Sequence, residues 1–400
     1  MAKPGAVACD EPAAPSRRWT LDGDAAVEAR IAADQRLIAR AVTAAVPAEH
    51  LVALVLMGGY GRGEGGFVLT ADGPAPFNDY DYFVVVQGTT PTIRAGLQRT
   101  LADLAHDLEP RVGVEVDFAL LRAERLPRAE LSLMHAEMRW GHRVVAGDER
   151  VLDATPDMPF RRLPPGELTR LLLNRGALLL LNRRRLNTPA NGGGKLDAVA
   201  REVFFKYLFK AVLACGDARL GAAGRYHPSY PTKLERLEDL AARDGEDGGD
   251  GDLLALYRLA YRHKFRPAFD ELSDAVPAQW QARVLEVWLE TLRAFEAHRL
   301  GRAVTDWRRY CGAGTPKGQR STLVRSVGVT LRDFGVLEPL RRPRRTLRYP
   351  RERLIGALPL LLTSPGNPLE HCVAEALGLP AETTWQQAAE RFLALWGRYA

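Results

Sequence analysis

The chain has 400 residues and a mass of 44.2 kDa, more than one ordinary hydrophobic core organises, so two or three domains are expected. Its apolar fraction of 46% and its charged fraction of 26% are typical of globular proteins and exclude a chain that is disordered throughout. The net charge of +6 permits partners that carry phosphate groups but does not require nucleic acid.

The N-terminus and the longest apolar stretches lack the features of export or membrane insertion. Pro, Asp and Glu interrupt the first 19 residues, where a signal peptide needs an unbroken apolar segment. The most Leu-rich stretches, LLLNRGALLLLN and LIGALPLLL, fall short of the ~20 apolar residues that cross a membrane. The four cysteines form no CxxC pair. A cytoplasmic protein with reduced thiols and no membrane partner is predicted.

The N-terminal part of the chain alternates between helix and strand patterns. A Pro- and Ala-rich tail, residues 1–18, is predicted to be disordered. Apolar spacing predicts a helix over residues 24–46, followed by a short strand in HLVALVLMGG. A Gly- and Pro-containing loop leads to the β-forming run NDYDYFVVV, and the helical pattern TIRAGLQRTLADLAHDL precedes the alternating strand RVGVEVDFALL. This order predicts an α/β domain over residues 19–155.

After about Leu163 the strand patterns fade and helical patterns take over. A helical domain is predicted over residues 160–300, followed by a mainly helical C-terminal region over residues 301–400. The predicted fold class is therefore α+β, with a short mixed sheet in the first domain. The basic segment RRPRRTLRYP, residues 341–350, is interpreted as a solvated connector, with contact to RNA or acidic lipid as the alternative.

Six glycines fall within nine residues of the segment MGGYGRGEGG, directly after the first strand. Their GxGxxG spacing imitates a dinucleotide-binding fingerprint, which requires a helix to begin within the glycines and hold a pyrophosphate at its N-terminus. Gly73 and two prolines follow too soon for such a helix, so we interpret the glycines as a turn. The backbone of that turn could approach a phosphate closely, and Arg62 could add a cationic contact.

Asp79 and Asp81 open the β-forming run, and because they are two residues apart in a strand they point to the same face. A divalent cation is the simplest neutraliser of such a pair, and Mg²⁺ favours carboxylate oxygens together with substrate phosphates. Asp117 in VEVDFALL supplies a third acid if the two strands pair, with Glu115 on the same face. Each acid alone reads as a solvated strand end, but the set could hold two Mg²⁺ ions about 4 Å apart, which is phosphoryl or nucleotidyl transfer chemistry.

The series LMGGYGRGEGG, NDYDYFVV and VEVDFAL resembles the DNA polymerase beta-like nucleotidyltransferase superfamily. That superfamily has a small-residue turn, commonly Gly-Ser, which opens a short helix, then an acid-x-acid strand and a later strand with a third acid. The resemblance implies a nucleotidyltransferase-type fold with a metal-binding triad of Asp79, Asp81 and Asp117. It also implies that Gly58 and Gly59 face the nucleoside triphosphate.

The match covers about residues 25–150 and includes two departures from the superfamily's pattern. Gly59 occupies the position where the family usually has Ser, so one hydroxyl contact to phosphate is missing. The spacing from Gly59 to Asp79 is longer than usual and implies an inserted loop around TADGPAP. Arg62 lies in an RGE segment that is similar to one in the small bacterial members, and it is expected to contact the nucleotide.

The segment FKYLFKAVLACGDARLGAAGRYHPSYPTK resembles the helical companions of small-molecule nucleotidyltransferases. Lys206 and Lys210 lie one helical turn apart in it, and Lys233 follows a Pro-rich turn. Three of the seven lysines of the chain lie in this segment. We expect one or more of them to bind the triphosphate, and the alternative is a solvated helix face.

Together these features predict a Mg²⁺-dependent nucleotidyltransferase that moves a nucleoside monophosphate from a nucleoside triphosphate to an acceptor hydroxyl and releases pyrophosphate. Asp79 and Asp81 would hold the metal ions, while Asp117 would hold the ion on the nucleophile side and act as general base. The modest net charge favours a small molecule or a protein as acceptor over nucleic acid. The alternative function is a non-catalytic nucleotide-binding sensor or antitoxin-like protein on the same fold.

Overall fold

The structure is a computed structural model, and the described residues are 18–187, 196–244, 251–312, 317, 322–364 and 369–399. The predicted disordered tail lies outside them except for Arg18. Within these ranges the fold is α+β and mainly helical, with a four-stranded mixed sheet and a two-stranded sheet. No helix of the described ranges is long and apolar enough to cross a membrane.

The chain divides into two compact units, which we call the sheet unit and the helical unit. The sheet unit contains the residues up to Leu163 with His227–Thr232 and Arg262–Pro267, and the helical unit contains Pro164–Tyr226, Lys233–Tyr261 and the residues from Ala268. The predicted helical domain and the predicted C-terminal region lie in the helical unit, apart from residues 160–163 and the two short segments, which belong to the sheet unit.

The sheet unit contains four α-helices and six strands among its described N-terminal residues. They are α1 (Ala25–Ala45), β1 (Leu51–Leu56), α2 (Gly58–Arg62), β2 (Gly66–Thr70), β3 (Gly73–Phe77), β4 (Asp79–Val86), α3 (Pro91–Val112), β5 (Glu115–Arg122), α4 (Leu133–Trp140) and β6 (Arg143–Gly147). The predicted order of helix, strand, strand, helix and strand corresponds to α1, β1, β4, α3 and β5. The sequence patterns did not predict the shorter elements α2, β2, β3, α4 and β6.

The four-stranded sheet has the order β5-β4-β1-β6. β1 runs antiparallel to both of its neighbours, whereas β4 and β5 run parallel. A parallel pair needs a long crossover connection, and α3 supplies it with 22 residues between the two strands. The acidic N-terminal ends of β4 and β5 therefore lie side by side at the same end of the sheet.

Packing of β4 against the helices fixes which of its side chains face the core. Tyr80 and Tyr82 are almost fully buried in the core formed with α1 and α3. The Tyr80 hydroxyl donates a hydrogen bond to Oδ2 of Asp34 at 3.1 Å, and the Tyr82 hydroxyl donates to Oε1 of Gln35. Because successive residues of a strand point to opposite faces, Asp79 and Asp81 lie on the face turned away from these helices.

The segment around TADGPAP, expected to be an inserted loop, is an antiparallel hairpin of β2 and β3. Thr70 pairs with Gly73 across a two-residue turn, and Gly73 has a φ of +108°, which glycine adopts at little cost. Pro74 and Pro76 are compatible with β3 because this sheet has only two strands, so an N–H is not required on the outer side. The prolines therefore mark an edge strand.

The helical unit is built from α5 to α16, although the first residues of α7 and the last of α8 belong to the sheet unit. Their bounds are α5 Pro165–Asn187, α6 Ala198–Ala222, α7 Tyr230–Asp244, α8 Gly251–Phe265, α9 Pro277–Leu300, α10 Trp307–Cys311, α11 Leu323–Phe334, α12 Glu338–Arg341, α13 Pro343–Thr346, α14 Pro350–Thr363, α15 His371–Leu377 and α16 Trp385–Tyr399. The buried helix α14 contacts α5, α10, α15 and α16, so the C-terminal helices share a core with α5.

Asp34 should make the stability of the sheet unit depend on pH. Burial raises the pKa of the Asp34 carboxyl above its ordinary value of 3.8. As the pH rises through 3.8 the unfolded chain loses this proton first, so stability falls until the raised pKa of the folded state is passed. We expect Asp34→Asn to gain stability relative to the natural chain as the pH is raised from 3.8 towards neutrality. Urea unfolding of both proteins at these pH values tests this, and a stability difference independent of pH would contradict it.

Candidate functional site

The register of β4 and β5 gathers four carboxylates on one face of the sheet. Asp81 lies directly opposite Asp117, and Asp79 lies directly opposite Glu115. Neighbouring strands are about 4.8 Å apart, and residues two apart in one strand are about 7 Å apart. Asp81, Asp117 and Glu115 are exposed and Asp79 is partly buried. The pairing of the two acidic strands, on which the sequence interpretation depended, is thus present.

The glycine turn that follows β1 lies against this carboxylate face. The Met57 amide donates to the Asp81 carbonyl at 2.8 Å, which joins the end of β1 to β4. Gly58 follows with a φ of +64° and begins α2. A Cβ atom on Gly58 would lie 3.2 Å from Oδ2 of Asp81. The backbone at Gly58 therefore passes close to the Asp81 carboxylate, a path that favours glycine for both conformation and space.

Gly59 has a different reason to lack a side chain. The Glu64 amide donates to the Gly59 carbonyl at 2.7 Å, which closes the turn around α2. A Cβ atom on Gly59 would lie only 2.8 Å from the Glu64 carbonyl oxygen. This backbone leaves no room for the serine that the nucleotidyltransferase superfamily usually has here. The tight backbone of the turn therefore explains why the chain has glycine instead of serine at position 59.

Arg62 is held inside the sheet unit between two carboxylates. Its side chain is 5% exposed, with Nε 3.7 Å from Oε2 of Glu64 and Nη1 3.9 Å from Oε2 of Glu137. Glu64 also accepts a hydrogen bond from the Tyr230 amide at 3.2 Å. These contacts attach α2 to α4 and to the start of α7. A contact between Arg62 and a triphosphate would have to compete with these ion pairs, and it stays a prediction.

The three lysines predicted to bind nucleotide all belong to the helical unit. Lys206 and Lys210 are partly buried on α6. Lys233 is 1% exposed, and its Nζ lies 2.8 Å from Oδ1 of Asp217. The Lys233 ammonium also lies 4.7 Å from the centre of the Tyr226 ring. Lys233 thus forms a buried ion pair that connects α7 to α6, and nucleotide binding by the three lysines stays a prediction.

Asn78 belongs to the site although sequence analysis did not single it out. It is the one residue other than glycine with a positive φ in the described part of the chain, at +88°. Its side-chain amide donates to Oδ1 of Asp79. Asn tolerates the left-handed region better than most residues, and it directly precedes the strand, a signal that could have identified it. The residue holds Asp79 at the start of β4.

The carboxylates have the donor chemistry of a Mg²⁺ site, since hard oxygen ligands are those that this ion prefers. Over the ranges that the structure describes, no three His, Cys, Asp or Glu side chains are gathered closely enough to hold a metal ion as they stand. Binding would therefore require the exposed side chains of Asp81 and Asp117 to rotate towards Asp79 between staggered rotamers. The shared face and the strand register keep Asp79, Asp81 and Asp117 at neighbouring positions, so their donor chemistry suits a cation, and Mg²⁺ binding stays a prediction.

The comparisons with known proteins add no relative of this chain. A scan against protein-family models matched no family, and searches of curated proteins and of solved structures matched none. The superfamily resemblance therefore depends on the three motifs, and the function depends on the geometry of the site.

The close contact at Gly59 predicts that the missing serine cannot simply be restored. Gly59→Ser should lower the free energy of unfolding by about 1–3 kcal/mol, because its side chain meets the Glu64 carbonyl. The matched control is Gly96→Ser in α3, where a Cβ atom meets nothing within 4 Å. The control should unfold at the same or a slightly higher urea concentration. Equal stability of Gly59→Ser and the natural chain would show that the Glu64 carbonyl does not crowd a side chain at position 59.

The buried ion pair predicts a large loss of stability when Lys233 is replaced alone. Lys233→Met leaves the Asp217 carboxylate buried without this cation, which should cost about 3–5 kcal/mol. The double variant Lys233→Met/Asp217→Leu should recover most of that loss, because no unpaired charge remains. Urea unfolding of the three proteins measures the difference. A single variant as stable as the natural chain would show that the pair is unimportant.

Proposed function

We propose that the protein is a Mg²⁺-dependent nucleotidyltransferase that moves a nucleoside monophosphate from a nucleoside triphosphate to an acceptor hydroxyl. The observation that carries the proposal is the in-register pairing of β4 and β5, since Asp81 lies beside Asp117 and Asp79 beside Glu115. Carboxylates grouped on one exposed face, at the N-terminal ends of two strands, serve no packing purpose. They suit the binding of cations that in turn bind phosphate.

Asp79, Asp81 and Asp117 would hold the metal ions, with Glu115 as an additional oxygen donor. Bound Mg²⁺ would offset the negative charge of the triphosphate and of the attacking oxygen. Asn78 would hold the Asp79 carboxylate through its side-chain amide. The carboxylates of β4 and β5 are carried by a sheet rather than by loops, so their backbone positions are fixed before the substrate binds.

The proposed transfer takes place at the α-phosphorus of the triphosphate. The acceptor oxygen forms a bond to the α-phosphorus, and the bond from that phosphorus to the bridging oxygen of the β-phosphate breaks. The bonding electron pair leaves with pyrophosphate. The Asp117 carboxylate takes the proton of the acceptor hydroxyl. Asp117 lies on β5, the outermost strand of the sheet. A small molecule or a protein is the proposed acceptor, in keeping with the modest net charge.

The glycine turn would receive the phosphates beside these carboxylates. Gly58 and Gly59 carry no side chain, and the Gly58 backbone passes close to Asp81. Backbone N–H groups fixed in such a turn can donate to phosphate oxygens without reorganising. The turn would therefore favour a phosphate group next to the ions that the carboxylates hold.

A nucleotide-binding sensor or antitoxin-like protein on the same fold is the second candidate. It is favoured by the path at Gly59, because the serine hydroxyl that usually contacts phosphate cannot be accommodated there. A protein that does not turn over its nucleotide can more readily dispense with this one contact to phosphate. The carboxylates favour the enzyme, since a protein that only binds nucleotide needs no general base to take the proton of an acceptor hydroxyl.

Nucleotide binding is tested by thermal unfolding with each of the four nucleoside triphosphates, with and without Mg²⁺. We expect one or more of them to raise the unfolding temperature only when Mg²⁺ is present, because a ligand that binds the native state stabilises it. Asp79→Asn/Asp81→Asn should abolish the shift. The control Asp103→Asn/Asp107→Asn makes the same change of charge on exposed positions of α3 and should keep it. No shift with any triphosphate would refute the proposal.

The same proteins separate the two candidates through turnover. The enzyme should release pyrophosphate from the triphosphate that binds, at a rate that rises with a suitable acceptor and falls at least about 100-fold in Asp81→Asn or Asp117→Asn. Binding without any pyrophosphate release over a broad set of hydroxyl acceptors would favour the sensor.

A further inference from the structure

Three of the apolar side chains of α11, Leu323, Val324 and Leu331, are exposed to solvent. Its most deeply buried positions, one turn apart, are occupied by Ser326 and Thr330. Leu323 and Val324 are exposed, and Val324 is 84% exposed. A surface helix normally packs its apolar face on the core, because burial of that area stabilises the fold. On α11 only part of the apolar area is covered, because Val327, Val329 and Phe334 are partly buried while the other three apolar side chains are exposed.

The exposed apolar area continues past the end of α11. Val336 is 75% exposed and Leu340 on α12 is 81% exposed. α11 contacts both α12 and α13, so these elements lie side by side. We call their exposed apolar side chains the α11–α13 surface, which comprises Leu323, Val324, Leu331, Val336, Leu337, Leu340 and Leu347. Grouped exposed apolar residues of this kind mark interaction sites.

The charge around the α11–α13 surface is of one sign. Residues 322–349 contain seven arginines and only two acidic residues. The side chains of those acids, Asp333 and Glu338, are each 3% exposed and pair with arginines. Arg341 and Arg344 are exposed, while the half-buried Glu375 of α15 pairs with two other arginines of the segment. The charge shown to solvent from residues 322–349 is therefore positive.

We propose that the α11–α13 surface docks on the surface of a bilayer that contains anionic phospholipids. Exposed leucines and valines would enter the boundary between headgroups and acyl chains, and the arginines would contact the lipid phosphates. This is peripheral attachment without a spanning helix. It assigns the basic segment at residues 341–350 to acidic lipid, and it goes beyond the expectation of no membrane partner, which concerned spanning segments and export signals.

The shape and charge of the surface favour lipid over the other occupants. Val324, Val336 and Leu340 are each at least 75% exposed, so they do not line a groove of the kind that receives a partner helix. A second copy of the chain would set arginines against arginines, which is unfavourable. The phosphate backbone of RNA would leave the apolar side chains exposed. An anionic bilayer complements both the apolar area and the positive charge.

Vesicle co-sedimentation of the full-length protein tests the proposal. We expect binding to vesicles that contain phosphatidylglycerol but not to vesicles of phosphatidylcholine alone, and weaker binding as salt rises. Val336→Ser/Leu340→Ser should weaken binding by at least about tenfold, because apolar insertion is lost. Arg341→Gln/Arg344→Gln should weaken it by about fivefold per arginine. The test is independent of the carboxylate site and of nucleotide.

The control Leu69→Ser/Val199→Ser removes two side chains of similar exposure, 70% and 73%, elsewhere in the chain and should bind as the natural protein does. Circular dichroism should show all variants folded, since the replaced side chains are exposed. Failure to bind either vesicle, or binding that neither double variant changes, would overturn the proposal. A dimer that Val336→Ser/Leu340→Ser abolishes, without vesicle binding, would also overturn it and assign the surface to a second copy.

Discussion

The parallel, in-register pairing of β4 with β5 is the constraint on which the site depends. It is held by the opposite face of the sheet, where Tyr80 and Tyr82 are buried against α1 and α3. Burying one such side chain contributes roughly 2 kcal/mol, whereas two exposed carboxylates about 5 Å apart repel by less than about 1 kcal/mol in water. Packing therefore outweighs the repulsion between the acids. A slip of one residue would turn the tyrosines to solvent, so the register is strongly specified.

The glycine turn shows how closely the backbone itself approaches the carboxylates. β1 is joined to β4 through the Met57 amide, and the chain must then turn beside Asp81. Gly58 adopts a left-handed conformation there, and Gly59 has the Glu64 carbonyl where a side chain would begin. The turn follows a compact path next to the acids, and because of that path it has glycine instead of the serine hydroxyl at position 59. This trade is why an enzyme and a nucleotide sensor both remain compatible with the site.

The helical unit distributes polar and apolar groups in an unusual way. Lys233 and Asp217 form an ion pair in its interior, and the fully buried Glu296 accepts hydrogen bonds from Thr169, Arg299 and Tyr310. Charges taken from water in this manner are tolerable because partners satisfy them. On α11 the apolar side chains of Leu323, Val324 and Leu331 are exposed instead. Exposed apolar area of this extent carries a cost that a bound surface would remove, which is the physical basis for a docking role.

Periodicity in the sequence was enough to identify α1, β1, β4, α3 and β5, because each is long or has a regular apolar pattern. It also put Asp79 and Asp81 on one face, since that relation depends only on the two-residue repeat of a strand. The shorter elements, including the β2–β3 hairpin and β6, carry too few residues for a pattern to stand out, and two prolines concealed β3.

The sequence by itself determined the acidic strand ends, the glycines that precede them and the change from mixed to helical structure, all of which are local properties of the chain. Only the tertiary structure decided that Asp81 lies opposite Asp117, that Arg62 is enclosed by Glu64 and Glu137, and that Lys233 is buried against Asp217. The physical reason is that pairing, burial and charge neutralisation depend on which residues meet across the fold. No local pattern contains that information, since the partners are separated along the chain.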